Sequence, residues 1–241
     1  MNNKIFALHG FSEHPETWGN LNLEGFELMA ISLEDIACLP LEEAIKSIHE
    51  RLTQLADGQS FGLIGYSMGG RLALHYAMEH PLDFLILESA SVGIKNEQER
   101  QERRVSDEAL AQKIELNGSA WFADFWAATP IFESQKNLPQ ELQDKVWQSR
   151  ASNDPKRLAQ TLRMTGQGVL PYLGDTISQL TMPLLYLSGA LDKKYTAIGE
   201  TYFPEQHVII PQAGHNIHLE APKAFQEAIQ AFLNKKSVLI D

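Results

Sequence analysis

The sequence predicts an α/β protein: a mostly parallel sheet flanked by helices, with a helical cap inserted into it. Three observations carry that expectation. First, short apolar runs bounded by turn residues recur at Lys4 to Leu8, Phe26 to Ile31, Phe61 to Tyr66, Phe84 to Leu87, Leu184 to Leu187 and His207 to Ile210. Their length and near-continuous apolarity suit strands buried on both faces. Second, helical patterns lie between them at Leu41 to Leu55, Met68 to His80, Tyr195 to Thr201 and Pro222 to Leu233, the last with proline at its start. Third, the rhythm stops between about Gly93 and Leu180 and resumes at Met182-Pro183.

The interruption is itself helical, with breaks at Asn117-Gly118, Pro130, Pro139, Pro155, Gly166 to Gly168 and Pro171. The expected organisation is therefore a core of residues 1–93 and 181–241, with residues 94–180 as a helical cap. A chain of 241 residues is long enough to bury a sizeable single core and short for two domains. No internal repeat or low-complexity tract is present.

Composition narrows the partners. Apolar residues make up 44% and charged residues 21%, so the chain has the material for a packed core. Acids outnumber bases 31 to 20, for a formal net charge of -11, which disfavours nucleic acid and anionic membrane. An anionic substrate would have to be attracted locally, by a few arginines. Cys38 is the single cysteine; it allows no intrachain disulfide and is expected to be a small buried hydrophobe. The opening MNNKIFALHGF has too short an apolar run for a signal peptide, and no stretch approaches ~20 apolar residues, so a cytoplasmic protein is expected. Nothing in the pattern selects between monomer and homo-oligomer.

The motif that carries chemistry is GYSMG at 65 to 69. An apolar strand enters it from FGLI and a helical pattern leaves with RLALHYAM, so G-x-S-x-G stands in the strand-turn-helix context its mechanism requires. Serine is a weak nucleophile or base unaided, so a histidine and an acid should follow in the order Ser, Asp, His. Asp192 follows the strand PLLYLSG, and His215 follows HVIIP in AGH. His215 would take a proton from Ser67, and Asp192 would orient the imidazole and stabilise its charged form. Of the eight histidines, His49, His75, His80 and His207 lie in helices or strand starts without such partners, and His218 has the spacing of a supporting or capping residue. The first strand ends in LHGF, which makes the backbone N–H groups of Phe11 and Met68 the expected oxyanion donors; a plain tight turn at His9-Gly10 is the alternative.

On these residues the chain resembles the α/β-hydrolase superfamily over about its whole length. A narrower resemblance is to its 2-succinyl-6-hydroxy-2,4-cyclohexadiene-1-carboxylate synthases, the MenH family of menaquinone biosynthesis. It rests on six motifs in order: GYSMGGR at 65 to 71, ERQERRVSD at 99 to 107, FADFWAATPIF at 122 to 132, SRASND at 149 to 154, GALDKKY at 189 to 195 and AGHNIHLEAP at 213 to 222.

The resemblance implies an α/β-hydrolase fold and a carbon-oxygen lyase without metal or organic cofactor. The implied reaction removes a ring proton from 2-succinyl-5-enolpyruvyl-6-hydroxy-3-cyclohexene-1-carboxylate and eliminates pyruvate. It further implies Arg71, Arg103 and Arg150 as partners of the three substrate carboxylates, with Tyr66 and Trp126 as wall contacts. The arginine fork suits carboxylates because it grips with two charge-assisted hydrogen bonds.

Blander readings stand beside these. Arg100, Arg103 and Arg104 are interleaved with Glu97, Glu99 and Glu102 as on a solvated helix laced with ion pairs. Arg150 could be a helix C-terminal cation, Trp126 a core aromatic, and Arg71 half of an internal salt bridge. The loop after the second strand, AISLEDIACLPLEEA, lacks the D-x-x-G-H-G-x-S pattern of many relatives. The competing functions are a small carboxylesterase or thioesterase with the same triad, a carbon-carbon bond hydrolase, and a catalytically silent binding scaffold.

Overall fold

A computed structural model describes residues 3–237, so the outermost residues of the expected core, 1–2 and 238–241, lie outside the described residues. Six strands, β1 (Asn3–Leu8), β2 (Phe26–Ile31), β3 (Phe61–Tyr66), β4 (Leu85–Glu88), β5 (Leu184–Gly189) and β6 (His207–Ile210), form one sheet in the order β2-β1-β3-β4-β5-β6. Every pairing is parallel. The helices among the described residues are α1 (Leu41–Ala56), α2 (Met68–Glu79), α3 (Glu97–Ala127), α4 (Gln140–Ala151), α5 (Pro155–Thr165), α6 (Lys193–Tyr202), α7 (Ile217–Glu220) and α8 (Pro222–Ser237).

Alternation along the strands divides the core between two faces. Phe6, Leu8, Leu63 and Leu87 pack with α1 and α2, through Ile45, Ile48, Leu52 and Leu72. Ile5, Ala7, Ile64 and Ile86 face the other way, onto Phe225, Ile229 and Leu233 of α8. The inner strands β3 and β4 are buried throughout, as continuous apolar runs should be. The outer strands β2 and β6 keep exposed positions.

Between β4 and β5 the chain runs through α3, α4 and α5, which hold a small apolar cluster of their own around Ala111, Ile114, Phe122, Leu158 and Leu162. The punctuation read in the sequence has physical counterparts. Gly118 sits at φ 82°, ψ 174° and kinks α3, Pro139 precedes α4, Pro155 opens α5, and Gly166 ends it. Phe11 and Trp126 lie against this cluster, so the loop after β1 touches the inserted helices directly.

Two expectations need correcting. Cys38 is only half-buried, with its Sγ against the Asp35 carbonyl at 3.3 Å, because the loop that carries it turns Leu33, Ile36 and Ala37 into the core instead. The helix expected from Tyr195 begins at Lys193, because the Asp192 side chain caps it by accepting the Tyr195 N–H.

Crowding at the turn after β3 explains its glycines. A Cβ on Gly69 would lie 2.3 Å from the Leu8 carbonyl oxygen and 2.5 Å from that of His9, both backbone atoms that cannot swing aside. Gly69→Ala should therefore destabilise the fold by about 3 kcal/mol. A thermal unfolding midpoint unchanged from wild type would contradict this packing.

Candidate active site

The parallel sheet brings the ends of β1, β3, β4, β5 and β6 to one edge, and the candidate residues follow those ends. Ser67 occupies the turn between β3 and α2 at φ 50°, ψ -106°, a conformation costly for a non-glycine residue. Its N–H donates to the Glu88 carbonyl at 2.9 Å, and its carbonyl accepts from Arg71 N–H at 3.0 Å, so the strained turn is held from both sides. Ser67 Oγ lies 2.9 Å from His215 Nε2, and His215 Nδ1 lies 2.7 Å from Asp192 Oδ2. His215 and Asp192 are buried, and the rings of Tyr66, Tyr195 and Phe132 surround the imidazole. This relay can draw a proton from the serine and hold the resulting imidazolium against a carboxylate.

Ser67 opens into a cavity of about 460 Å³. Phe11 and Met68, the expected oxyanion donors, line it, as do Tyr66, Arg71, Arg103, Trp126 and Arg150. Every residue singled out in the sequence for substrate contact therefore borders one cavity.

The three arginines are held differently. Arg71 is buried one helical turn after Ser67; its Nη2 reaches the Thr165 carbonyl at 3.3 Å, and its Nε is buried without a hydrogen-bond partner. Burial pushes its pKa down to about 10, with Arg103 adding to the fall, so it remains a cation at neutral pH. No ion pair neutralises it among the described residues. Arg150, in the last turn of α4, is also buried: its guanidinium lies 4.4 Å from the Phe132 ring centre, and Nη2 donates to Gln135 Oε1 at 3.2 Å. Burial lowers its pKa, while Glu13 and Tyr66 pull the other way. Arg103 alone has an ion pair, from Nε to Asp107 Oδ1 at 2.7 Å, and Nη1 donates to Gln167 Oε1 at 3.1 Å. Its neighbours Arg100 and Arg104 pair with Glu97, and Arg104 Nε also donates to the Gly168 carbonyl at 2.6 Å.

Trp126 combines two roles that the sequence held apart. It stacks on Phe122 and meets Phe11 edge to face, yet it also faces the cavity. His218 is a supporting residue: Nδ1 meets Glu88 Oε2 at 2.7 Å, Nε2 meets Thr17 Oγ1 at 2.9 Å, and the ring stacks on Trp18.

Other cavity residues escaped sequence reasoning. Glu13, Gln167, Tyr195 and Lys194 border the cavity, brought there by the loop after β1, the segment after α5 and the first turn of α6, with no local pattern to announce them. Glu88 carried a readable signal: an acid closing the otherwise apolar run LILE. It is fully buried and accepts from the Ile217 and His218 N–H groups.

The Glu88–His218 pair gives stability a defined pH dependence. Burial alone would lower the His218 pKa, but the charge and hydrogen bond of Glu88 override it and raise the pKa above 6.5. The contribution is thus complete below the unfolded value and lost as pH rises through the higher folded value. Glu88→Gln should flatten that part of a plot of unfolding midpoint against pH. An unchanged slope would contradict the pairing.

Comparison with known proteins agrees with this fold. The family model described as alpha/beta hydrolase fold matches residues 9–222. The chain belongs to the α/β-hydrolase fold family. Among members of that family, it is 32% identical to the putative 2-succinyl-6-hydroxy-2,4-cyclohexadiene-1-carboxylate synthase of Bacillus subtilis, over 95% of this chain and 89% of that protein. A protein of the same name from Haemophilus influenzae is 29% identical, over 94% of this chain and 95% of its own length. Among solved structures, MenH from S. aureus superposes with a TM-score of 0.91 at 31% identity, covering 98% of this chain and 95% of that one. An esterase from Thermogutta terrifontis, at 23% identity and a TM-score of 0.76, shares the fold. No helix among the described residues is long and apolar enough to cross a membrane.

Proposed function

We propose that this protein is a 2-succinyl-6-hydroxy-2,4-cyclohexadiene-1-carboxylate synthase, a carbon-oxygen lyase of menaquinone biosynthesis. Its substrate is 2-succinyl-5-enolpyruvyl-6-hydroxy-3-cyclohexene-1-carboxylate, and its products are the cyclohexadiene and pyruvate. The likeness to MenH from S. aureus supports the reading over nearly the full length of both chains. The observation that carries it to the chemistry is Arg71. This buried guanidinium borders the Ser67 cavity, its Nε has no hydrogen-bond partner, and no carboxylate among the described residues forms an ion pair with it. A buried cation left unpaired is costly, and a substrate carboxylate is the partner that would repay it.

In this reading Ser67, with its proton taken by His215, acts as the base that removes the ring proton next to the succinyl ketone. Negative charge spreads into that ketone oxygen, where the N–H groups of Phe11 and Met68 meet it. Electrons then move through the ring double bond and expel the enolpyruvyl oxygen; the departing enolate takes the proton that His215 carries and becomes pyruvate, which returns the triad to its starting form. No acyl-enzyme forms, because the bond breaks by elimination. Asp192 holds the His215 tautomer throughout. Arg71, Arg103 and Arg150 each hold a carboxylate, Tyr66 and Trp126 form walls, and residues 94–180 act as a cap over the core of 1–93 and 181–241.

A small ester or thioester hydrolase would use the same triad, but it has no need of three cavity-facing arginines. The test is to add purified protein to the enolpyruvyl ether and follow pyruvate. Release well above the spontaneous rate is expected; a rate equal to the spontaneous one would overturn the assignment.

A further inference from the structure

The segment that carries His215 is gripped by carboxylates. Glu220 accepts from the Gly214 N–H at 2.6 Å and the Asn216 N–H at 3.2 Å. Glu88 accepts from the Ile217 N–H at 2.6 Å and the His218 N–H at 3.0 Å. The third carboxylate is Glu13, whose Oε1 accepts from Asn216 Nδ2 at 2.7 Å. Glu220 belongs to α7 itself and Glu88 to the end of β4. Glu13 comes from the far side of the site, two residues after Phe11 in the loop that follows β1.

Three features mark this contact as more than packing. Glu13 borders the cavity into which Ser67 opens. Its carboxyl is wholly buried between the Gly10 backbone and the Asn216 side chain, a costly place for an acid that only fills space. The loop has little freedom to drift, since a Cβ on Gly10 would lie 2.6 Å from the Tyr66 ring. A fixed loop that reaches across to the residue beside the candidate base is a means of setting one against the other.

We propose that Glu13 is a positioning residue for His215: by holding the Asn216 side chain, it registers the loop bearing the base against the loop bearing the Phe11 N–H. The proposal rests on the reading of Ser67 and His215 as the reacting pair. Misplacing a base by a fraction of an ångström slows the proton transfer and leaves binding to the arginines intact. The effect therefore belongs in kcat and not in KM.

The geometry allows a donor-acceptor exchange as the test. Asn216 Oδ1 caps α7 by accepting from the Leu219 N–H, so Asn216→Asp keeps the cap and turns an oxygen toward Glu13 where a donor stood. Glu13→Gln supplies a donor in turn, and the double variant restores one hydrogen bond with the roles reversed. Pyruvate release and the rate of Ser67 labelling by diisopropyl fluorophosphate are measured for wild type, Glu13→Ala, Asn216→Asp and the double Glu13→Gln/Asn216→Asp. Asn216→Asp is expected to lower kcat and the labelling rate by roughly 10- to 100-fold with KM little changed, and Glu13→Ala, which also removes a charge acting on Arg150, to lower the same two rates. The double variant should recover most of the loss in Asn216→Asp. Labelling of the wild type tests the Ser67–His215 reading separately, without the ring substrate. A rise in KM at unchanged kcat, unchanged kinetics in Glu13→Ala, or a double variant no better than Asn216→Asp would overturn the proposal; if Glu13→Ala fails to fold, the exchange pair decides.

Discussion

Ser67→Ala and His215→Ala are each expected to lower kcat for pyruvate release by about 10²- to 10⁴-fold, the range that a positioned general base contributes. KM should change little, because neither side chain carries the charge that binds the substrate. The two losses should not add. Ser67 Oγ and His215 Nε2 act through one hydrogen bond of 2.9 Å, so removing either disables the same proton path, and the double variant should be about as slow as the worse single one. Steady-state kinetics of the three variants, read beside their unfolding midpoints, checks this. Fully multiplicative losses would mean that serine and histidine do separate work.

Arg71→Ala is expected to act on the other parameter. It removes a guanidinium that is buried, cationic and without an ion-pair partner among the described residues. A charge-assisted hydrogen bond is worth about 1.5–3 kcal/mol, so kcat/KM should fall about 10- to 100-fold, mainly through KM. Arg71→Lys should recover only part of this, because an ammonium cannot reproduce the two-pronged grip. The free protein should become no less stable on losing Arg71, since an unpaired buried charge is a burden there. A raised KM with an unchanged or raised unfolding midpoint would identify the arginine as a substrate group. A lowered midpoint with unchanged KM would identify it as a structural one.

How much of this was readable in the sequence depends on the range of the interactions. The strands at Phe26–Ile31, Phe61–Tyr66 and His207–Ile210 could be bounded to the residue, because turn residues abruptly flank mostly apolar runs. The serine turn was legible because its glycines answer to backbone crowding, Gly69 from Leu8 and His9 and Gly65 from Gly69 and Gly70, a constraint that no other residue type meets. Arg103 was harder. Its spacing among glutamates is that of its neighbours Arg100 and Arg104, and only resemblance separated it. In the fold the distinction is rotational: Arg100 and Arg104 share Glu97, whereas Arg103 turns to Asp107 and Gln167 at the cavity. Glu13 was not legible at all. Its partner Asn216 is 203 positions away, and nothing in SEHPETW marks one acid as facing the site. The unusual loop after β2 also has an account: His9 Nε2 accepts the Leu33 N–H, and Thr165 donates to the Ala37 carbonyl, so the loop ties α5 to the core without the missing glycines.

The most direct test of the central claim compares two reactions of one enzyme preparation. The specificity constant for pyruvate release from the cyclohexene enolpyruvyl ether is measured beside that for nitrophenol release from a simple nitrophenyl ester. The proposed roles, cavity arginines as carboxylate partners and the triad as a base, predict a value for the ring substrate larger by orders of magnitude, with the excess shrinking in Arg71→Ala. Comparable constants for the two substrates, or a larger one for the ester, would contradict a lyase and point to a hydrolase that uses the same serine.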